Sequence, residues 1–335
     1  MNTISKLSKT VVFHEAGTPE VLKVEQIETP APQPHEVRIQ VKSIGVNRAD
    51  AMYRMGMYIE NPVFPAKLGY EAAGIIEAVG SEVTNVAVGD VVNVIPGFSL
   101  HHYSSYGEYI LMPSYAVHKY PSVLSYDEAA ALWTSYSTMY GMLVHSGKLK
   151  SGEFVVINAA SSSAGLAAIQ LTNYVGGISI ALTTSARKKE ALLKAGASHV
   201  IVTSEEDIAT EIAKITNNVG AHIILDPVVG AKFSDLVSAV AENGKVFVYG
   251  ALSQEAASFP TFAVMMKTPT IRGYSAIEVL ANADILAEAI AFIDKGVIEG
   301  KLKPVIDKVF QLDEIVVAHN YLESNQQFGK IVITV

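Results

Sequence analysis

The chain has 335 residues, half of them hydrophobic and none of them cysteine, with a formal net charge of −8. That length exceeds a single small core and predicts two domains, while the missing cysteines exclude disulfides, thiolate nucleophiles and cysteine-ligated zinc. The acidic balance argues against nucleic-acid or anionic-membrane partners, which require a basic surface, and no run of about 18 uncharged apolar residues occurs. With no apolar leader in MNTISKLSKTVVFHEAG, a soluble, cytoplasmic protein is expected.

In chain order, the first third alternates short β-rich runs with proline and glycine: TVVFHEAGTP, ETPAPQPHEVRIQVKSIGVN, AAGIIEAVGSEV and VGDVVNVIPG. Alternation across Val37 to Val41 suits a half-buried strand, and the repeated turns predict a partly closed barrel. From about Ser151 the pattern changes to apolar runs, FVVIN, ISIAL, HVIV, HIILD and KVFVYG, separated by helical stretches. Continuous apolar strands interleaved with helices predict a parallel, doubly wound sheet. The amphipathic stretch SARKKEALLKAGA ends at a glycine suited to a C-cap. TIRGYS, the helical run NADILAEAIAFIDKGVIEG and the strand GKIVITV follow. KVFVYG and TIRGYS read as edge strands able to pair across a two-fold axis.

Between the strand EFVVI and the helix LAAIQLTNYVGG lies NAASSSAG, Asn158 to Gly165. A strand, a tight small-residue turn and a helix N-terminus gather backbone N–H groups and the positive end of a helix dipole, where a pyrophosphate fits. Of the three roles in the G-x-G-x-x-G fingerprint, which fall on Ala160, Ser162 and Gly165, one keeps its glycine. Taken alone the loop also reads as an ordinary serine-capped helix start. The next strand decides between them. NAD-type folds carry an acid about 20 residues downstream to bind the ribose 2′-hydroxyl. ISIALTTSARKK has none and offers Thr183, Thr184, Ser185, Arg187, Lys188 and Lys189 instead. Hydroxyls and cations suit a 2′-phosphate, so the expected cofactor is NADP(H).

GYEAAGIIEAVGSEV, from Gly69 to Val83, resembles the G-H-E-x-x-G signature of the medium-chain dehydrogenase/reductase superfamily, with Tyr70 where the zinc-dependent alcohol dehydrogenases have a histidine ligand. Asn47 stands at the place of their cysteine ligand, after Gly45 and Val46. The resemblance therefore points to the zinc-independent, quinone oxidoreductase or zeta-crystallin-like branch, and to no metal site. GVNRADAMYRMGMY, STMYGMLVHSGKLKSGE, LDPVVG, VYGALS and AHNYLESNQQFGKIVITV sit in the family's order. Departures fall at Met52, Ser162, Ser163, Asn173, Asn325 and Gln326.

The resemblance implies an α/β chain: a GroES-like, partly open β-barrel catalytic domain from residues 1–123 and 272–335, with a Rossmann domain of doubly wound parallel sheet over 124–271. It implies hydride chemistry where the domains meet, with Asn47, Asp50, Arg54 and Tyr58 on the acceptor side. Asn47 and Tyr58 would donate to the acceptor oxygen; Asp50 reads equally as a loop-capping residue. Thr138, Gly250 and Leu252 would flank the nicotinamide, Ser161, Ser162, Ser163 and Ala164 the pyrophosphate, and Thr184, Ser185 and Lys188 the 2′-phosphate. Met52, Met55, Met57 and Phe262 read as core or as an adaptable pocket. Glu71 reads as a structural acid, and the His101-His102 pair as loop residues.

Without a metal to polarise an alcohol, the chemistry that remains is direct hydride transfer to an electron-poor acceptor. Three readings follow: an NADPH-dependent quinone reductase, an enoyl or alkenal double-bond reductase acting on an unsaturated carbonyl, or a non-catalytic NADPH-binding structural or sensor protein. The family is often homodimeric.

Overall fold

The computed structural model describes residues 5–253 and 255–335. The chain divides into two compact units, Met1–Thr134 with Lys303–Val335, and Ser135–Leu302.

In the first unit, β1 (Lys6–Phe13) and β2 (Lys23–Thr29) pair antiparallel, followed by β3 (Glu36–Val46), α1 (Arg48–Arg54), β4 (Ala66–Lys67), β5 (Glu71–Val79), β6 (Val91–Val94), β7 (Tyr109–Pro113), β8 (Val117–His118) and α2 (Tyr126–Ala130); α3 (Trp133–Tyr140) begins at its end and continues into the second unit. A capping box starts α1: the backbone N–H of Asn47 donates to Asp50. The same device, Ser125 with Glu128, starts α2. The segment Val37 to Val41 lies inside β3; Val37, Ile39 and Val41 are buried as expected, but Arg38 is buried too, so the strand is more covered than the half-buried one expected.

The second unit adds β9 (Phe154–Ile157), α4 (Ser163–Val175), β10 (Ile178–Thr183), α5 (Lys189–Lys194), β11 (His199–Val202), α6 (Ile208–Ile215), β12 (Ala221–Asp226), α7 (Phe233–Ser238), β13 (Val240–Val248), α8 (Thr261–Lys267), β14 (Thr270–Gly273), α9 (Ile277–Leu280) and α10 (Ala283–Ile298). Its six strands form a parallel sheet in the order β11-β10-β9-β12-β13-β14. Val155, Val156 and Ile157 are fully buried in β9, as strands covered on both faces require. This is the doubly wound sheet that the apolar runs predict. KVFVYG proves not to be an edge: most of it lies in β13, which is bounded on both sides by β12 and β14, and β14 holds the edge.

The chain then returns to the first unit as β15 (Ile306–Gln311), α11 (Ile315–Glu323) and β16 (Lys330–Thr334). A seven-stranded sheet runs β15-β16-β3-β5-β6-β8 with β7 also on β3, beside a three-stranded sheet β2-β1-β4. Val11, Phe13, Ile39, Ile44, Leu68, Ile76, Val92 and Ile331 share one core.

Both unit boundaries fall later than the expected 123 and 271. Residues just after 123 stay with the barrel because α2 is tied to it, Asn93 donating to the carbonyl of Ala129 and Ser43 to Asp127. Residues after 271 stay with the parallel sheet because β14 pairs with β13 and Phe292 of α10 packs on Tyr140 and Tyr174.

Candidate functional site

In the parallel-sheet unit the strand order reverses between β9 and β12, and the exits of those strands make the crevice in which such sheets bind ligands. Asn158 leaves β9 and donates through Nδ2 to Asp226 Oδ1 across the reversal at 2.8 Å, while its Oδ1 accepts the N–H of Ala159 at 2.9 Å. Ala159 takes a left-handed backbone, φ 51°. The tight-turn role thus falls one residue before the expected Ala160.

Ser162 caps α4, its Oγ accepting from Gly165 N at 3.0 Å. A side chain on Gly165 would place Cβ 2.5 Å from the carbonyl of Ala160, which explains why this glycine of the fingerprint is kept. Ser163 and Ala164 open the helix with N–H groups that no earlier turn can satisfy. Lys188 Nζ donates to Ser161 Oγ at 3.2 Å, so the cation that follows β10 stands against the turn before α4. Ser185 N donates to Thr183 Oγ1 at 3.2 Å; Thr184 is exposed, and its carbonyl accepts from Ser204. The loop, its helix dipole and this lysine fit a dinucleotide carrying a 2′-phosphate.

At the neighbouring exits, Asp226 accepts the N–H groups of Val228 and Val229, the latter left-handed at φ 49°. Leu252 N and Ser253 N donate to the carbonyls of Pro227 and Val228, fixing Gly250 to Leu252 beside this turn. Thr138 is partly exposed on α3. Phe262 is 78% exposed on α8 and lies outside the core.

In the barrel unit, Asn47, Asp50 and Arg54 lie on or beside one short helix and are all buried. Asp50 Oδ2 accepts from Asn47 N at 2.8 Å and from Tyr106 OH at 2.9 Å. Burial pushes its carboxyl up to about 7, against the pull of those hydrogen bonds. Arg54 is fully buried, donating to Gly17 O, His319 Nδ1 and Glu323. A guanidinium can only donate, so His319 Nδ1 accepts. Burial, with the charges of Arg54 and Arg48, drives His319 down to about 3. Arg54 therefore clamps α1 to α11, with each of its three guanidinium nitrogens bonded inside the fold.

Tyr58 is half-buried and stacks obliquely on Tyr70, centroids 6.1 Å apart, with Phe98 beyond Tyr70 at 5.8 Å. Burial and then the Asp50 charge raise the Tyr58 phenol, so it keeps its proton at neutral pH. Met52 and Met55 are half-buried and Met57 is exposed.

Lys330 is a residue that the sequence reading does not single out. Its ammonium, 1% exposed, donates to Asn47 Oδ1 at 2.7 Å and to Glu71 Oε2. Glu71 Oε2 also accepts from Asn47 Nδ2 at 2.9 Å, and Oε1 accepts from Thr134 N at 2.7 Å. Glu71 is thus the structural acid expected of it. The remaining Asn47 amide hydrogen meets Gly45 O at 3.2 Å. A side chain at Gly45 would collide with the Ala130 carbonyl, 2.1 Å from its Cβ, and with Lys330 Cε at 2.9 Å. The one available signal was a charge opening an otherwise apolar strand.

Among the described residues no group of three or more His, Cys, Asp and Glu side chains is gathered as a metal would need. His101 Nε2 pairs with the Asn61 carbonyl at 2.7 Å. No described helix is long and apolar enough to cross a membrane.

Comparison with known proteins agrees with this geometry. The chain matches the family models for an alcohol dehydrogenase GroES-like domain, over residues 33–122, and a zinc-binding dehydrogenase, over 195–333. The synaptic vesicle membrane protein VAT-1 homolog of Homo sapiens is 29% identical, covering 91% of this chain and 80% of that one. The structure of Escherichia coli quinone oxidoreductase complexed with NADPH superposes with a TM-score of 0.89 at 26% identity, covering 98% of this chain and 100% of that one. The quinone oxidoreductase of Homo sapiens is 30% identical over 335 residues, covering 99% of each chain. With a parallel-sheet unit, a GroES-like unit and that full-length identity, the chain belongs to the quinone oxidoreductase family of medium-chain dehydrogenases/reductases and is an oxidoreductase.

Proposed function

We propose that the protein is an NADPH-dependent reductase that transfers hydride to a quinone. The observation that carries this is the contact of Lys188 with Ser161, which sets a cation from an acid-free β10 end against the phosphate loop. The Escherichia coli relative, solved with NADPH bound, supports the same choice.

Ser161, Ser162, Ser163 and Ala164 hold the pyrophosphate through backbone N–H groups and hydroxyls; Ser185 and Lys188, with Thr184, hold the 2′-phosphate; Thr138, Gly250 and Leu252 shape the nicotinamide end. When bound, NADPH supplies the hydride. Tyr58, protonated at neutral pH, donates to the acceptor oxygen and then yields the proton that completes the hydroquinone. Asn47 reaches the same oxygen by giving up its longer bond to Gly45 O. Asp50 holds Asn47 in place and Arg54 holds the helix that carries both. In balance, quinone, NADPH and one proton give hydroquinone and NADP⁺.

The test is NADPH oxidation, followed by nicotinamide absorbance, against a panel of quinones, alkenals and ketones, with NADH in parallel. Quinone-dependent oxidation with NADPH preferred is the expected result. Turnover confined to alkenals would identify a double-bond reductase, and tight NADPH binding without turnover would identify a structural or sensor protein. Tyr58→Phe is expected to lower turnover at least tenfold; full turnover would make solvent the proton source. We further propose a homodimer joined along β14, one of the two edge strands of the parallel sheet, where backbone groups on the outer side have no strand to pair with.

A further inference from the structure

A buried ion pair is a poor way to gain stability, because desolvating both charges costs about as much as their attraction returns. The Lys330–Glu71 pair, with both side chains 1% exposed, therefore calls for another explanation. Its connections supply one. A lysine ammonium only donates and a carboxylate only accepts. With Lys330 on one side of the Asn47 carboxamide and Glu71 on the other, one orientation is allowed: Oδ1 toward Lys330, Nδ2 toward Glu71 and Gly45. The other Glu71 oxygen holds the backbone of Thr134, so the same charge pair also sets the first turn of α3. Gly45 leaves room for the lysine stem, since a side chain there would meet Lys330 Cε.

We propose that Lys330 is a positioning residue for acceptor reduction: by donating to Oδ1 while Glu71 accepts from Nδ2, it fixes the orientation of the Asn47 carboxamide. The proposal rests on the quinone reductase reading above. Asn47 acts on the acceptor, and Lys330 acts only through Asn47. An amide held in one orientation aims its N–H at the same point in every turnover; a free one spends part of its time presenting oxygen, which repels the developing charge.

Lys330→Met alone strands a buried carboxylate at a cost to folding, so the informative variant is Lys330→Met/Glu71→Gln, in which no charge remains and only the longer bond to Gly45 O still selects an amide orientation. Lys330→Arg, which keeps the ion pair with different donor geometry, is the second variant should the first fail to fold. Steady-state kinetics with NADPH and 1,4-benzoquinone are measured beside NADPH affinity by fluorescence. The expected result is a kcat lowered at least tenfold, with the benzoquinone KM and the NADPH Kd within twofold of wild type, the pattern of an interaction made in the transition state. Adding Asn47→Ala to the double variant is expected to cost little more, because both changes remove one function. A folded double variant, or a folded Lys330→Arg if the double does not fold, with kcat within twofold of wild type overturns the proposal. So do losses from Asn47→Ala and the double variant that multiply in full. A wild-type protein that does not oxidise NADPH with benzoquinone overturns the functional reading itself, and the proposal with it.

Discussion

Asp50 and His319 are two buried titratable groups pushed in opposite senses, to about 7 and about 3. For Asp50 the unfolded chain gives up its proton first, near pH 3.9, while the folded one holds it. Between about pH 4 and 7 the native state therefore binds more protons, and stability falls as pH rises. The cost is fully present above pH 7, on the order of 4 kcal/mol. His319 works the other way: its contribution is present above about pH 6.5 and is lost as pH falls toward 3, because the unfolded ring takes up a proton that the folded one refuses. Asp50→Asn removes one slope and leaves the other. Denaturant unfolding at pH 4.5 and pH 8 is expected to show the variant gaining on wild type by about 3–4 kcal/mol between the two; a pH-independent difference would mean that the carboxyl titrates near its ordinary value. At the cofactor loop, Lys188→Gln is expected to weaken NADPH binding about tenfold and leave NADH binding within twofold, as titration of both nucleotides would read; an equal loss for both would assign Lys188 to the loop's structure. Lys188 was legible as a cation at an acid-free strand end. Lys330 was not, because its partner lies 259 residues away and no local pattern encodes such a pairing.

The elements followed their sequence signals where the physics is local. Five-residue apolar runs became buried parallel strands, and Ser162, Asp207 and Asn282 each cap the helix they precede. The turn before α4 was legible as a place and not in its register. The left-handed residue is Ala159 because the preceding Asn158 spends its amide on Asp226 and its oxygen on Ala159 N, a side-chain arrangement that composition does not reveal. An alanine in that conformation costs about 1 kcal/mol that a glycine does not. Ala159→Gly is therefore expected to raise stability by about 0.5–1 kcal/mol, seen as a higher denaturation midpoint; a lower midpoint would show that the strain is relieved elsewhere in the turn. Edge strands were harder to read than strands, since KVFVYG and TIRGYS look alike and only the neighbour of each decides which is exposed. The predicted dimer tests this directly. Ile271→Pro in β14 removes a backbone donor from the edge strand, and light scattering is expected to show about half the wild-type mass. An unchanged mass would move the interface elsewhere, and a monomeric wild type would remove it.

At the scale of the whole molecule, a barrel unit assembled from both ends of the chain encloses in sequence a unit that is continuous from Ser135 to Leu302. The change of hydrophobic period near residue 151 revealed two units. The boundaries at 134 and 302 were set by packing of α2 and α10, which the period does not report. That arrangement also fixes an order of events during synthesis. β7 covers the Glu36–Gln40 part of one edge of β3, but the Ser43–Val46 end is paired there only once β16 is beside it, with Ile331 against Val46 and Thr334 against Ser43. At translation rates of about 5–20 residues per second, β3 emerges and then waits on the order of 15–60 s for β16. In that interval the second unit can finish folding, while the first carries an open sheet edge and a Glu71 with no cation beside it. The nascent chain is therefore most exposed to aggregation and to chaperone capture in its earliest-made third, and it becomes secure only when the ribosome has delivered Lys330.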